Sequence, residues 1–156
     1  MNDLPLVKQP LPENSIQNIR LYAYTREQVW NAIANADHLK IWWGPNGFTN
    51  TFHEFDLKVG GIWRFTMHGP DKGNYENEVK FLQVQPPSFV AWDRISKPKF
   101  QMQIGLEAVD EQHTELSFTM VFDSEAERDK LLKFVKDKNE ENLDRLEALL
   151  KSLHTT

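Results

Sequence analysis

The hydrophobic period of this chain changes at residue 124, and that change limits the folds open to it. From Phe48 to Phe122 the apolar residues alternate in short runs, and after Ser124 they recur at helical spacing. Leu131, Phe134, Val135, Leu143, Leu146, Leu149, Leu150 and Leu153 form one stripe between Glu125 and Leu153. A helix of that length extends roughly 40 Å at about 1.5 Å per residue, where an average helix has about three turns. Ser124-Glu125-Ala126-Glu127 has the form of a capping box, with acids at the positive helix end. A sheet built from the preceding strands has an apolar face that must be covered. This helix is the only element long enough to cover it.

The strands are predicted from alternation and from the turns between them. In residues 15–24, Ile16, Asn18, Arg20 and Tyr22 alternate with Gln17, Ile19, Leu21 and Ala23. Thr25-Arg26-Glu27-Gln28 reads as a second capping box, opening a helix to Ala34. Asp37 is the expected cap of another short helix, which carries Leu39, Ile41, Trp42 and Trp43 and stops at Gly44-Pro45. Strands follow over residues 49–57, 62–68, 75–84, 89–95, 100–109 and 114–122. The apolar phase shifts between Phe52 and Phe55, which predicts a bulge. Gly60-Gly61, Gly69-Pro70-Asp71-Lys72-Gly73 and Pro86-Pro87 mark turns. Strands joined by short turns pair antiparallel. The expected fold is therefore α+β: a seven-stranded curved antiparallel sheet wrapped on a long C-terminal helix, with two short helices after the first strand. Residues 1–14, with three prolines and no periodicity, read as an extended N-terminal arm, and residues 15–156 as a single domain.

The 156 residues suffice for a full core without covalent staples. There is no cysteine, which removes disulfides and thiolate chemistry and fits a reducing, cytoplasmic setting. The net charge is −5 with both signs intermixed, so no basic block offers itself to nucleic acid. No apolar run reaches the ~18 residues of a membrane span. Five Trp, ten Phe and three Tyr are too many rings to leave wet, so most must pack a core or line a pocket.

The helix stripe has a gap. Lys138, Asn139 and Asn142 fall on the face of Phe134, Val135, Leu143 and Leu146. Buried without partners, such groups cost about 1–3 kcal/mol each. Either this turn faces a wet cavity or Lys138 snorkels outward.

Trp42-Trp43-Gly44-Pro45-Asn46-Gly47-Phe48, Asp56 with Gly60-Gly61-Ile62-Trp63, Gly69-Pro70-Asp71, Pro86-Pro87 and Leu143-Asp144-Arg145-Leu146 occur in that order. Together they resemble the family similar to the C-terminal domain of the activator of heat-shock protein 90 ATPase. That family belongs to the START-like (SRPBCC) superfamily, with its polyketide cyclase relatives. The resemblance covers about residues 15–153 and implies a helix-grip fold with a deep apolar cavity between sheet and helix. It also implies that Asp56 holds the Gly60-Gly61 hairpin. Members of the family often carry Gly-Trp where this chain has Lys138-Asn139, which implies a cavity that is more polar or larger.

On this resemblance Trp42 and Trp43 are pocket-mouth residues. Adjacent helical positions point about 100° apart, so one is expected in the core and one near the entrance. Trp63, Phe65, Met67, Met102, Ile104, Phe118 and Met120 are inward candidates for core or cavity wall, the methionines giving an adaptable lining. Phe134, Lys138 and Asn139 complete the candidate ligand-binding set. His38, His53, His68, His113 and His154 show no metal-site spacing; His53, in mid-strand, serves as acid or base only if it points inward. Glu54, Asp56, Arg64, Tyr75, Glu76 and Glu78 read as a solvated outer face. No Ser-His-Asp set, phosphate loop or nucleotide fingerprint appears, so no catalytic residue, metal or cofactor is assigned. The first expectation is binding of an apolar or aromatic small molecule in the cavity. The alternatives are a co-chaperone-like module acting on heat-shock protein 90, and a cyclase- or hydrolase-like enzyme using the same hollow. Both a monomer and a homodimer fit the pattern.

Overall fold

The computed structural model describes residues 11–154, so the expected arm over residues 1–14 lies outside the described residues as far as position 10. The elements are β1 (Ser15–Tyr22), α1 (Arg26–Ala34), α2 (Ala36–Trp42), β2 (Thr49–Phe55), β3 (Ile62–His68), β4 (Asn74–Gln85), β5 (Phe89–Arg94), β6 (Gln101–Asp110), β7 (His113–Val121) and α3 (Glu125–Leu153). The strands form one antiparallel sheet in the order β1-β7-β6-β5-β4-β3-β2. From β2 to β7 the chain simply meanders, as short turns require. Helices α1 and α2 carry it from β1 to the far edge, where β2 begins.

Local signals act where the sequence places them. Thr25 Oγ1 accepts from Gln28 N at 3.1 Å, and the Gln28 side chain accepts from Thr25 N at 2.9 Å, closing the capping box of α1. The bulge of β2 lies between Phe52 and Glu54. One cap differs from expectation. Asn35, not Asp37, caps α2: its Oδ1 accepts from Asp37 N at 2.9 Å. Its own N–H closes α1 by donating to Asn31 O, so one extended residue ends one helix and starts the next. Asp37 instead sits inside the first turn, where its charge suits the positive end of the helix.

The core is centred on Trp63, which is fully buried. Its ring meets Phe65 at 4.1 Å, Trp92 and Phe52 at 5.4 Å, and Trp43 at 5.6 Å. Phe65 stacks on the Trp63 ring while the other three meet it edge-to-face, and such pairs add about 0.5–1.5 kcal/mol each beyond area burial. Helix α3 buries Leu143, Leu146, Leu149 and Leu150.

Helix and sheet are tied across β1. Tyr22 Oη donates to Leu143 O at 2.8 Å. Arg20 pairs with Glu140 at 2.7 Å and Asp144 at 2.6 Å, and Asn18 Nδ2 donates to Glu140 Oε2 at 2.7 Å. The Asn18 amide, with Arg20 beside it, holds the Glu140 carboxyl below the ordinary carboxylate range. The unfolded chain therefore takes up this proton first. The contribution is present above the unfolded value of about 4.3 and is lost as pH falls through the lower folded value. Urea titrations between about pH 6 and about pH 3 should show a larger loss of stability in the wild type than in Glu140→Gln.

Candidate ligand cavity

A hollow of about 290 Å³ lies between α3 and the inner face of the sheet. Four strands supply most of its apolar wall: Phe65 and Met67 from β3, Trp92 from β5, Met102 from β6, and Phe118 and Met120 from β7. Val79 and Asn77 of β4, Arg94 of β5, and Asn139 and Asn142 of α3 also line it. Gly44, Pro45, Pro98 and Phe100 border it from the two loops beside it. Trp43 forms one side. Its ring lies 5.5 Å from Trp92 and 5.9 Å from Phe118, and the residue is 8% exposed.

The two tryptophans part company, one to the core and one to the hollow. Trp42 is fully buried and donates Nε1–H to Ala32 O at 2.8 Å, outside the cavity wall. Trp43 is the helix C-cap, and its extended backbone turns the next ring toward the hollow.

The loop that carries Trp43 is fastened to α3 by three side chains. Asn142 Oδ1 accepts from Gly44 N at 3.1 Å, and Glu141 Oε1 accepts from Asn46 N at 3.0 Å. Arg145 does the most. Its Nη1 donates to the carbonyls of Trp43, Gly44 and Pro45, and its Nη2 to those of Ile41 and Phe48, at 2.6–3.2 Å. Burial draws the Arg145 guanidinium below its usual range. Among the described residues it has no carboxylate partner, and carbonyl dipoles take that place.

Of the twelve candidates, Trp43, Phe65, Met67, Met102, Phe118, Met120 and Asn139 line the hollow. Trp42, Trp63 and Ile104 pack in the core without reaching it. Phe134 and Lys138 do not face it. Phe134 is 65% exposed, and Lys138 lies one turn further on, with Nζ 5.6 Å from the Phe134 ring centre and 3.6 Å from Glu141. Phe134, Lys138 and Glu141 fall on one outward stripe because they are spaced i, i+4 and i+7. The polar gap in the helix thus divides: Lys138 goes to solvent while Asn139 and Asn142 stay inside, at 8% and 6% exposure. Asn139 Nδ2 donates to Asn18 Oδ1 at 3.3 Å and lies 3.4 Å from Met120 Sδ.

Sequence reasoning missed Arg94 and Asn77. Both continue an inward alternation, Val90-Trp92-Arg94 on β5 and Asn77-Val79-Phe81 on β4, so a polar residue holding the apolar phase at a strand end was the available signal. Arg94 Nε and Nη2 donate to Asn77 Oδ1 at 2.8 and 2.6 Å, and Nη1 donates to Pro98 O at 2.8 Å. His53 faces outward, within 2.8 Å of Thr66 Oγ1, which removes it as an acid or base for the cavity. Asp56 holds its hairpin through the backbone rather than the carboxylate: its N–H donates to Ile62 O and its carbonyl accepts from Lys58 N. The carboxylate lies half-exposed, 3.5 Å from Lys58 Nζ.

This arrangement of curved sheet, long helix and WWGP loop is matched by a family model. The family is described as Activator of Hsp90 ATPase homolog 1-like protein (AHSA1), and its model covers residues 23–151. The chain belongs to this family. Solved structures share the AHSA1-like fold. A Nitrosomonas europaea protein superposes with a TM-score of 0.83 at 20% identity, covering 92% of this chain and 98% of its own. An Arthrobacter aurescens protein gives 0.82 at 20% identity, covering 90% and 87%. The AHSA1 protein of Silicibacter pomeroyi gives 0.73 at 19% identity, covering 90% and 99%. A comparison with curated proteins finds no significant match. The helix-grip fold expected from the sequence is the fold of these AHSA1-like relatives. Among the described residues, no helix is long and apolar enough to cross a membrane.

Proposed function

We propose that the protein binds an apolar or aromatic small molecule in the cavity beneath α3. The observation that supports this is the hollow itself: about 290 Å³ walled by rings and thioethers in a core that is otherwise packed. Concave, mostly apolar recesses with a few polar groups are where proteins take up small molecules. The aromatic walls supply affinity, and the few polar groups set orientation.

N-phenyl-1-naphthylamine, a fluorescent neutral aromatic, tests this reading. Saturating probe should raise thermal stability as RT ln(1 + [L]/Kd), about 2.7 kcal/mol at a hundredfold excess over Kd. Met102→Trp, which fills the hollow from β6, should bind it at least about tenfold more weakly while remaining folded. Absence of stabilisation in the wild type, with no molecule retained in native mass spectrometry, would overturn the proposal. Stimulation of a heat-shock protein 90 ATPase that persists in Met102→Trp would instead assign activity to the surface.

A further inference from the structure

We infer that the cavity selects an anionic ligand, a one- or two-ring aromatic molecule whose carboxylate is met by Arg94. This rests on the cavity-binding reading above and names the chemical class that the cavity would take.

Three arginines of this fold engage α3 or the cavity wall, and they differ in how their charge is met. Arg20 has Glu140, Asp144 and Glu147 within 2.6–3.7 Å. Arg145 places five backbone carbonyls around its two terminal nitrogens. Arg94 has neither a carboxylate nor a complete set of acceptors. Its bonds run to neutral oxygens only: Asn77 Oδ1 from Nε and Nη2, and the carbonyls of Ser96 and Pro98 from Nη1. A guanidinium has five N–H donors, so one Nη2 hydrogen has no acceptor among the described residues. The Phe100 ring, centred 5.7 Å from Cζ, shields the group further. The neighbouring acid on the strand, Asp93, is exposed, because alternation sends it to the other face.

Arg94 is half-buried, and a partly desolvated cation without a counter-ion attracts an anion more strongly than a fully hydrated one. Burial draws the Arg94 guanidinium below its usual range. The remaining features fit the rest of such a molecule. Trp43, Trp92, Phe65 and Phe118 offer ring faces and edges to a flat body. On α3, Asn142 Nδ2 and Asn139 Oδ1 carry no protein partner among the described residues, so the far wall offers one donor and one acceptor. A hollow of about 290 Å³ admits one or two fused rings, since a void of about 150 Å³ already takes benzene.

The test pairs 2-naphthoate with 2-naphthamide, which share a shape and differ in charge, by isothermal titration at neutral pH and fixed ionic strength. The wild type should bind the naphthoate at least about tenfold more tightly. Arg94→Gln should weaken naphthoate binding far more than naphthamide binding, bringing the two affinities within about twofold, and Arg94→Lys should keep part of the preference. The wild-type comparison needs no variant, so a misfolded substitution leaves the proposal falsifiable. Equal affinities for both probes in the wild type would overturn the anion assignment and leave the cavity reading standing. Failure of both probes to bind would overturn both readings.

Discussion

Replacing Arg145 with methionine is expected to destabilise the protein by about 3 kcal/mol, although the residue touches no other charged group among those described. In a chain of this length that lowers Tm by about 6–12 °C. The reason is geometric. Five carbonyls, from Ile41 to Phe48, converge on one guanidinium. Removing it leaves half-buried acceptors without a donor and frees the loop that carries Trp43. Lysine should restore little, because a single ammonium cannot reach oxygens spread along eight residues of backbone. Urea unfolding followed by tryptophan fluorescence measures the loss, and near-UV circular dichroism of the folded variant reports the ordering of Trp43. A change under about 1 kcal/mol would show that Asn142 and Glu141 suffice to hold the loop.

The second large effect is expected at Gly61. A Cβ placed there would lie 2.0 Å from Asp56 O and 3.0 Å from Lys58 O. Both are backbone atoms inside a tight turn, where Gly61 N donates to Lys58 O and Gly61 O accepts from Phe81 N. Neither can yield without pulling Trp63, two residues on, out of the aromatic cluster. Gly61→Ala should therefore cost about 3 kcal/mol or more. Gly60→Ala is the internal control. Its φ of 82° strains an alanine by about 1–2 kcal/mol, but nothing lies within 4 Å of the added carbon. If the urea midpoints ranked the two variants the other way, the turn would have to be able to open around the new methyl group.

The architecture was legible because period is a direct consequence of geometry. Alternation from Phe48 to Phe122 appears as strands β2 to β7, and helical spacing after Ser124 as one helix. The bulge at Phe52 and the capping box at Thr25 are local, so a short window contains them. The cavity was legible only in part. Period assigns a residue to a face, but it cannot say which inward residues meet each other and which meet a void. Ile104 and Met102 share a strand face, yet only Met102 reaches the hollow. Phe134 failed for a related reason: a stripe wide enough to include it is wider than the strip of helix the sheet covers, and it lies on the uncovered side. Arg145 stood within a quoted motif, but its role depends on a loop about a hundred residues earlier. No local pattern contains a contact of that separation.

The ties between β1 and α3 join residues 113 to 124 positions apart in the chain. During synthesis the first strand leaves the ribosome on the order of ten seconds before the helix that must hold it, at typical elongation rates. Through that interval the aromatic inner face of the sheet has no cover, and loop closure over such a span is entropically expensive. The hollow between sheet and helix therefore takes shape only once α3, the last element of the chain, has docked.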